Sequence, residues 1–102
     1  MNVQEVEALA RGTARTHAFM VIDLTPRPGA NHRTEALAEF GERFAERLGS
    51  GPIAFHFTDR QDAEDTYRRT LVGLRADLEA VDGEIALVTS DATRVDRINR
   101  PD

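Results

Sequence analysis

The stretch Ala18-Phe-Met-Val-Ile-Asp-Leu24 is an almost continuous apolar run, and prolines at 26 and 28 stop it. A short apolar run of this kind, bounded by turn-forming residues, is typical of a strand that is buried on both faces. Strands with two buried faces occur mostly in parallel sheets, where helices cover each side. We therefore predict that residues 18–24 form the central strand of a parallel sheet.

Helices and strands alternate on either side of this segment. Apolar residues at helical spacing predict helices, and short runs that alternate or are continuously apolar predict strands. The alternation at 53–57 is more typical of an edge strand than of a central one, and Asp82-Gly83 predicts a turn. In chain order, the predicted elements are a helix over 3–10, a strand over 18–24, a helix over 32–48, a strand over 53–57, a helix over 61–80, a strand over 84–89 and a short helical turn through Val95 and Ile98.

The alternation of helices and strands indicates βαβ units. The predicted fold class is therefore α/β: a small three-layer sandwich around a three-stranded parallel sheet, with strand order 2-1-3 and topology α-β-α-β-α-β. A length of 102 residues fits a single domain over 1–102. An antiparallel, ferredoxin-like arrangement is the less favoured alternative, because the sequence shows no hairpin signal.

The chain is acidic and contains no cysteine. It has 13 basic residues, all of them arginine, against 18 acidic ones, which gives a net charge of −5. The lack of cysteine excludes disulfides, a thiol nucleophile and zinc–thiolate or iron–sulfur sites. A negative chain without lysine is a poor match to a phosphate backbone, so we expect no nucleic-acid partner. Because neither a transmembrane run nor a signal-peptide pattern is found, we expect a cytoplasmic protein with no membrane partner.

In a parallel sheet of this order, the loops that follow the strands would meet beside the first strand. Arginine, histidine and hydroxyl side chains are frequent in those loops, and together they would form a pocket for a ligand that carries phosphate or carboxylate. The hydroxyl and aspartate positions also suit helix caps, which is the structural alternative. The predicted ligand-binding residues are Arg27, His32, Arg33, Thr58, Arg60, Ser90 and Arg94.

Asp23 interrupts the apolar strand with a charge, so it must either find hydrogen-bond donors or face a pocket. We predict Asp23 as a candidate catalytic acid or base, with the capping of a neighbouring loop as the structural alternative. His56 would be its partner if the first two strands adjoin, because a His–Asp pair supports general-base chemistry. The spacing of His17, His32 and His56 matches no compact metal motif, so we predict no metal site and no cofactor.

Two functions of different classes remain open. The favoured one is a small acidic interaction module, such as a regulator, inhibitor or accessory subunit, that binds a protein partner or forms a homo-oligomer. It is motivated by the absence of catalytic motifs and by the open edges of a small sheet, with the face of Phe55 and Phe57 as the expected interface. The alternative is a small-molecule binder or enzyme that acts on an anionic ligand at the strand ends.

Overall fold

Residues 2–26, 51–77 and 81–98 are described by a computed structural model of the chain. The predicted helix over 32–48 lies outside these residues. The described part consists of α1 (Val3–Arg11), β1 (Ala18–Pro26), β2 (Ile53–Phe57), α2 (Arg60–Asp77), β3 (Val81–Val88) and β4 (Thr93–Ile98).

The four strands form one sheet in the order β2-β1-β3-β4, and every neighbouring pair is antiparallel. The predicted three-stranded parallel sheet with topology α-β-α-β-α-β is therefore wrong. The run that starts at Ala18 does lie between β2 and β3, but it runs opposite to both. Because β2 and β3 both oppose β1, they run parallel to each other, and α2 connects them in a split β-α-β unit.

The C-terminal segment departs from the prediction at two places. Asp82 and Gly83, which were expected to form a turn, lie inside β3, and the residues expected to form a last helical turn are strand β4. A hairpin joins these strands: the Thr89 N–H donates to the Ala92 carbonyl at 2.9 Å, and the Ala92 N–H donates to Thr89 Oγ1 at 3.1 Å. The side chain of Thr89 thus replaces a backbone acceptor that a standard two-residue hairpin loop would use.

Helix α1 covers one face of the sheet. It begins at Asn2, whose side-chain oxygen accepts a hydrogen bond from the Glu5 N–H at 2.8 Å, and it ends at Gly12. The buried side chains Val6 and Ala10 pack onto apolar side chains of the central strands β1 and β3. The members of this first core layer are Val6, Ala10, Phe19, Val21, Ala86 and Val88.

Helix α2 covers the opposite face, and Asp59 caps its N-terminus, because the Gln61 N–H donates to Asp59 Oδ1 at 2.8 Å. The helix buries Tyr67 and Leu74 almost completely, and burying one such side chain contributes about 1.5–3 kcal/mol. Neither α1 nor α2 combines the length and the apolar character of a membrane-crossing helix. The second core layer contains Ala18, Met20, Ile22, Leu24, Ala63, Tyr67, Leu71, Leu74, Ile85, Leu87 and Ile98.

Candidate functional site

Several predicted ligand-binding residues lie at one end of the sheet, although the strands are not all parallel. Because β2 and β3 run in the same direction, the residues that follow them share this end, which also holds the start of β1. We call it the strand-end cluster. It contains Arg15, His17, His56, Thr58, Arg60, Thr89, Ser90 and Asp91. The predicted residues Arg27, His32 and Arg33 lie outside the described residues.

The arginines of the strand-end cluster are bound by a carboxylate of the same chain. Arg60 Nη2 lies 3.3 Å from Asp91 Oδ1, and Arg15 Nη2 lies 3.6 Å from Asp91 Oδ2. The hydroxyl of Thr89 donates to Asp91 Oδ1 at 2.7 Å, and this bond, with the two guanidinium groups, holds the pKa of the Asp91 carboxyl below its usual range. Asp91 therefore occupies the place that an anionic ligand would take at these arginines.

His56 pairs with His17, and not with Asp23 as the sequence predicts. Its Nε2 lies 2.8 Å from His17 Nδ1, so that one imidazole donates a hydrogen bond to the other. The ring of His56 also stacks on Phe19, with ring centroids 4.6 Å apart. The pair is not part of a larger ligand set, because no group of three or more metal-ligating side chains occurs within the described part of the chain.

Asp23 lies at the opposite end of the sheet from His56. His56 is opposite Phe19 in the β1–β2 register, so Asp23 is four residues further along β1, about 13 Å away at ~3.3 Å per residue. The structure therefore does not bring the two predicted catalytic residues together. Asp23 is exposed at a groove of about 280 Å³ beside the N-terminus of α1, where the helix dipole favours a carboxylate, and Glu84 is directly opposite it.

A network of polar side chains fastens β4 to α2. The buried hydroxyl of Tyr67 donates to Asp96 Oδ2 at 2.5 Å and lies 3.2 Å from the carbonyl of Ile85. Arg94, a predicted ligand-binding residue, places its Nε 3.2 Å from the same Asp96 oxygen and its guanidinium 5.3 Å from the centre of the Tyr67 ring. Its observed contacts are therefore within this network and not with the strand-end cluster.

The carboxylate of Asp96 sets the electrostatics of this network. The Tyr67 hydroxyl and the guanidinium groups of Arg94 and Arg75 hold the pKa of Asp96 below its usual range. Burial, followed by the bond to Asp96, raises the pKa of Tyr67 far above its ordinary value. Both shifts favour an ionised aspartate that accepts a hydrogen bond from a neutral tyrosine at neutral pH.

The outer side of β4 carries backbone groups that do not bond to β3. In an antiparallel ladder, hydrogen-bonded residue pairs alternate with pairs that are not bonded. The pair Thr89–Ala92 is hydrogen-bonded, so Thr93 and Val95 belong to non-bonded pairs with β3, as does Arg97. The N–H and C=O groups of these three residues therefore point away from the sheet, and their side chains are exposed. We call this row of groups the β4 edge.

The sequence carried a weak signal for the β4 edge and almost none for the other missed residues. Thr93, Val95 and Ile98 are β-branched residues that favour strands, but the intervening charges weakened the pattern. Nothing in the sequence links His17 with His56 or Tyr67 with Asp96, because the partners are far apart in the chain and meet only through the sheet register.

Comparisons of the chain with protein-family models, with curated proteins and with solved structures found no match.

Proposed function

We propose that this chain is a small acidic interaction module of the cytoplasm that binds a protein partner by adding a strand at the β4 edge. The proposal rests on the backbone N–H and C=O groups of Thr93, Val95 and Arg97, which point away from β3. All three residues are exposed. An extended segment can bond to such a row, with main-chain hydrogen bonds supplying affinity and alternating side chains supplying specificity.

The face of Phe55 and Phe57 on β2 and the strand-end cluster are less suited to binding than the β4 edge. Phe55 and Phe57 of β2, the interface expected from the sequence, are half-buried and pack against the core under α2. At the strand-end cluster, Arg15 and Arg60 already pair with Asp91, so an anionic ligand would have to displace a carboxylate. The geometry therefore favours the interaction module over the alternative of a small-molecule site.

The charges on the β4 edge select the partner. Arg94 and Arg97 are exposed and Asp96 is half-buried, so the edge presents both signs within four residues. Charged side chains on an edge strand discourage pairing with any apolar strand that is encountered, since a like charge or an unpaired charge opposite them is unfavourable. The proposed partner is therefore an extended segment that carries acidic and basic side chains at matching positions.

A proline at position 95 tests the proposed function. Val95→Pro removes one outward N–H without removing a β3–β4 hydrogen bond, because that N–H does not face β3. We expect peptides selected on the wild-type chain from a displayed library of ten-residue segments to bind Val95→Pro at least about tenfold more weakly, which is the loss of roughly one hydrogen bond plus the blocked approach of the strand. The affinities are measured by fluorescence anisotropy.

Two further proline variants control this experiment. Arg97→Pro also removes an outward N–H and should reproduce the loss of binding, which guards against a local effect at position 95. Arg94→Pro removes an N–H that bonds to Leu87 and should instead lower the thermal stability, as seen by circular dichroism. Selected peptides that bind both outward variants as well as the wild type would refute the proposal, as would a library that yields no binder when the wild-type chain is held at a concentration low enough to be monomeric.

A further inference from the structure

We infer that the partner at the β4 edge is a second copy of this chain, joined through a two-fold axis that passes beside Val95. The inference rests on the proposed function, since it requires the β4 edge to accept a strand, and it adds the identity of that strand. In this arrangement the β4 strands of two copies pair antiparallel, and the two four-stranded sheets become one continuous sheet.

The backbone restricts the register of this pairing. Bonds between the two copies must join residues whose N–H and C=O groups point outward, which are Thr93, Val95 and Arg97. A two-fold axis beside Val95 pairs Val95 with its own copy and pairs Thr93 with Arg97 of the other copy. All three outward residues of each copy then bond at once, and no other axis within β4 achieves this.

The charges select the same register. With the axis beside Val95, Arg94 of one copy lies opposite Asp96 of the other, so each Asp96 keeps Arg94 and Arg75 of its own copy and gains one arginine of the other, and the symmetry repeats this contact. An axis beside Arg94, Asp96 or Arg97 would instead place that charge directly opposite its own copy, which is destabilising. The edge is thus self-complementary in one register alone.

The side chains at the axis suit a contact between copies. Val95 is 48 % exposed, and it lies on the α1 face beside Ala86, so two copies would bring two valine side chains together. Arg75 Nη2 donates to the Arg97 carbonyl at 3.0 Å, which leaves the second lone pair of that oxygen for the Thr93 N–H of the other copy. The net charge of −5 repels two copies at a distance, and at physiological salt a Debye length of about 8 Å screens most of this repulsion.

The first measurement is the mass of the full chain in solution. Sedimentation equilibrium at physiological salt should show the wild-type mass rising with concentration from 11.3 kDa towards twice that value. Val95→Pro should stay at the monomer mass over a concentration range at least about tenfold higher, because its missing N–H lies at the centre of the pairing. Val95→Glu, which places a carboxylate on the axis opposite its own copy, should also stay monomeric.

Cysteine cross-linking then tests which residues of the two β4 strands lie opposite each other. The native chain has no cysteine, and hydrogen-bonded antiparallel partners have Cα atoms ~5.5 Å apart, which a disulfide can span. Under mild oxidation, Val95→Cys should form a disulfide dimer at least about tenfold faster than Leu9→Cys, a control at a side chain of nearly equal exposure, 49 % against 48 %. Thr93→Cys should cross-link with Arg97→Cys when the two variants are mixed, and neither should cross-link rapidly alone.

The outcomes separate the inference from the proposed function. The inference that the partner is a second copy is overturned if the wild type stays monomeric at all concentrations and Val95→Cys forms disulfide dimers no faster than Leu9→Cys. If library peptides still bind the wild type and lose affinity for Val95→Pro, the interaction module stands with a different partner. A dimer that persists in Val95→Pro forms through another surface and also overturns the inference.

Discussion

Gly83→Ala should destabilise the protein by about 3 kcal/mol and lower its melting temperature by about 15 °C, since a methyl group here has no space. A Cβ added to Gly83 overlaps the carbonyl oxygen of Asp23 and lies 2.7 Å from Leu24 Cδ2. The leucine side chain can move, but the carbonyl belongs to β1 at the centre of the sheet. To relieve the clash, β1 and β3 must shift against each other, which strains the ladder that joins them.

Thermal denaturation followed by circular dichroism measures this effect, and Gly12→Ala is the matched control. A Cβ on Gly12 meets only the Leu9 carbonyl at an ordinary 3.6 Å, and Gly12 has a right-handed backbone conformation. Its replacement should leave the free energy of unfolding unchanged or raise it by up to about 1 kcal/mol. A Gly83→Ala protein as stable as Gly12→Ala would show that the Asp23 carbonyl of β1 does not approach Gly83 of β3 closely enough to exclude a methyl group.

The glycine also shows where local sequence information misleads. Asp-Gly is a frequent turn dipeptide, and it predicted a chain reversal at 82–83. In the structure this glycine lies opposite Leu24 inside a strand, where it allows a close approach of two backbones. The two uses of glycine look the same in the sequence, and only the neighbouring strand distinguishes them.

The elements that the sequence predicted well are those with a strong local pattern. The apolar run at 18–24 forms a strand with two buried faces, and the helical spacing predicted over 61–80 corresponds to α2 (Arg60–Asp77). Strand direction has no such local pattern. A strand buried on both faces is usual in parallel sheets, but here α1 and α2 supply the two covers for an antiparallel sheet. The prediction of a parallel sheet was wrong because it inferred the direction of the strands from their burial.

The candidate site could be predicted only in part for the same reason. His56, Thr58, Arg60 and Ser90 share one end of the sheet because β2 and β3 run in the same direction, which the helix between them suggested. The position of Asp23 relative to His56 depends on the direction of β1, and there the prediction failed. The β4 edge depends on the pairing of residues 93–98, where the sequence instead predicts a short helical turn through Val95 and Ile98.

Tyr67→Phe should cost about 2 kcal/mol of unfolding free energy at neutral pH, because it deletes a hydrogen bond to a charged acceptor and leaves the ring in place. The lost hydroxyl donates to Asp96 Oδ2 at 2.5 Å inside the core between α2 and the sheet. Urea denaturation measures the change. Glu64→Gln, which removes an exposed ion pair with Arg68 along α2, is the control and should change stability by less than about 0.5 kcal/mol.

Acid should remove the contribution of the Tyr67–Asp96 hydrogen bond to the free energy of unfolding. The pKa of Asp96 is lowered in the folded chain by the Tyr67 hydroxyl and the neighbouring arginines. The stability gained from a lowered carboxyl pKa is fully present above the unfolded value of about 4 and is lost as the pH falls through the folded value. The difference in unfolding free energy between the wild type and Tyr67→Phe should therefore become smaller below about pH 4. Asp96→Asn should lose part of the wild-type stability at neutral pH and vary less with pH in this window.

Alkali should act on the other partner of the same bond. The pKa of Tyr67 is raised in the folded chain by burial and by Asp96, so its contribution is present below the unfolded value of about 10 and is lost as the pH rises above it. Tyr67 is the single tyrosine in the chain, and tryptophan is absent, so tyrosinate absorbance reports this hydroxyl alone. The absorbance of the folded chain should rise at a higher pH than that of the urea-unfolded chain. Coincident titrations of the two states would show that the hydroxyl is not held by Asp96 in the core.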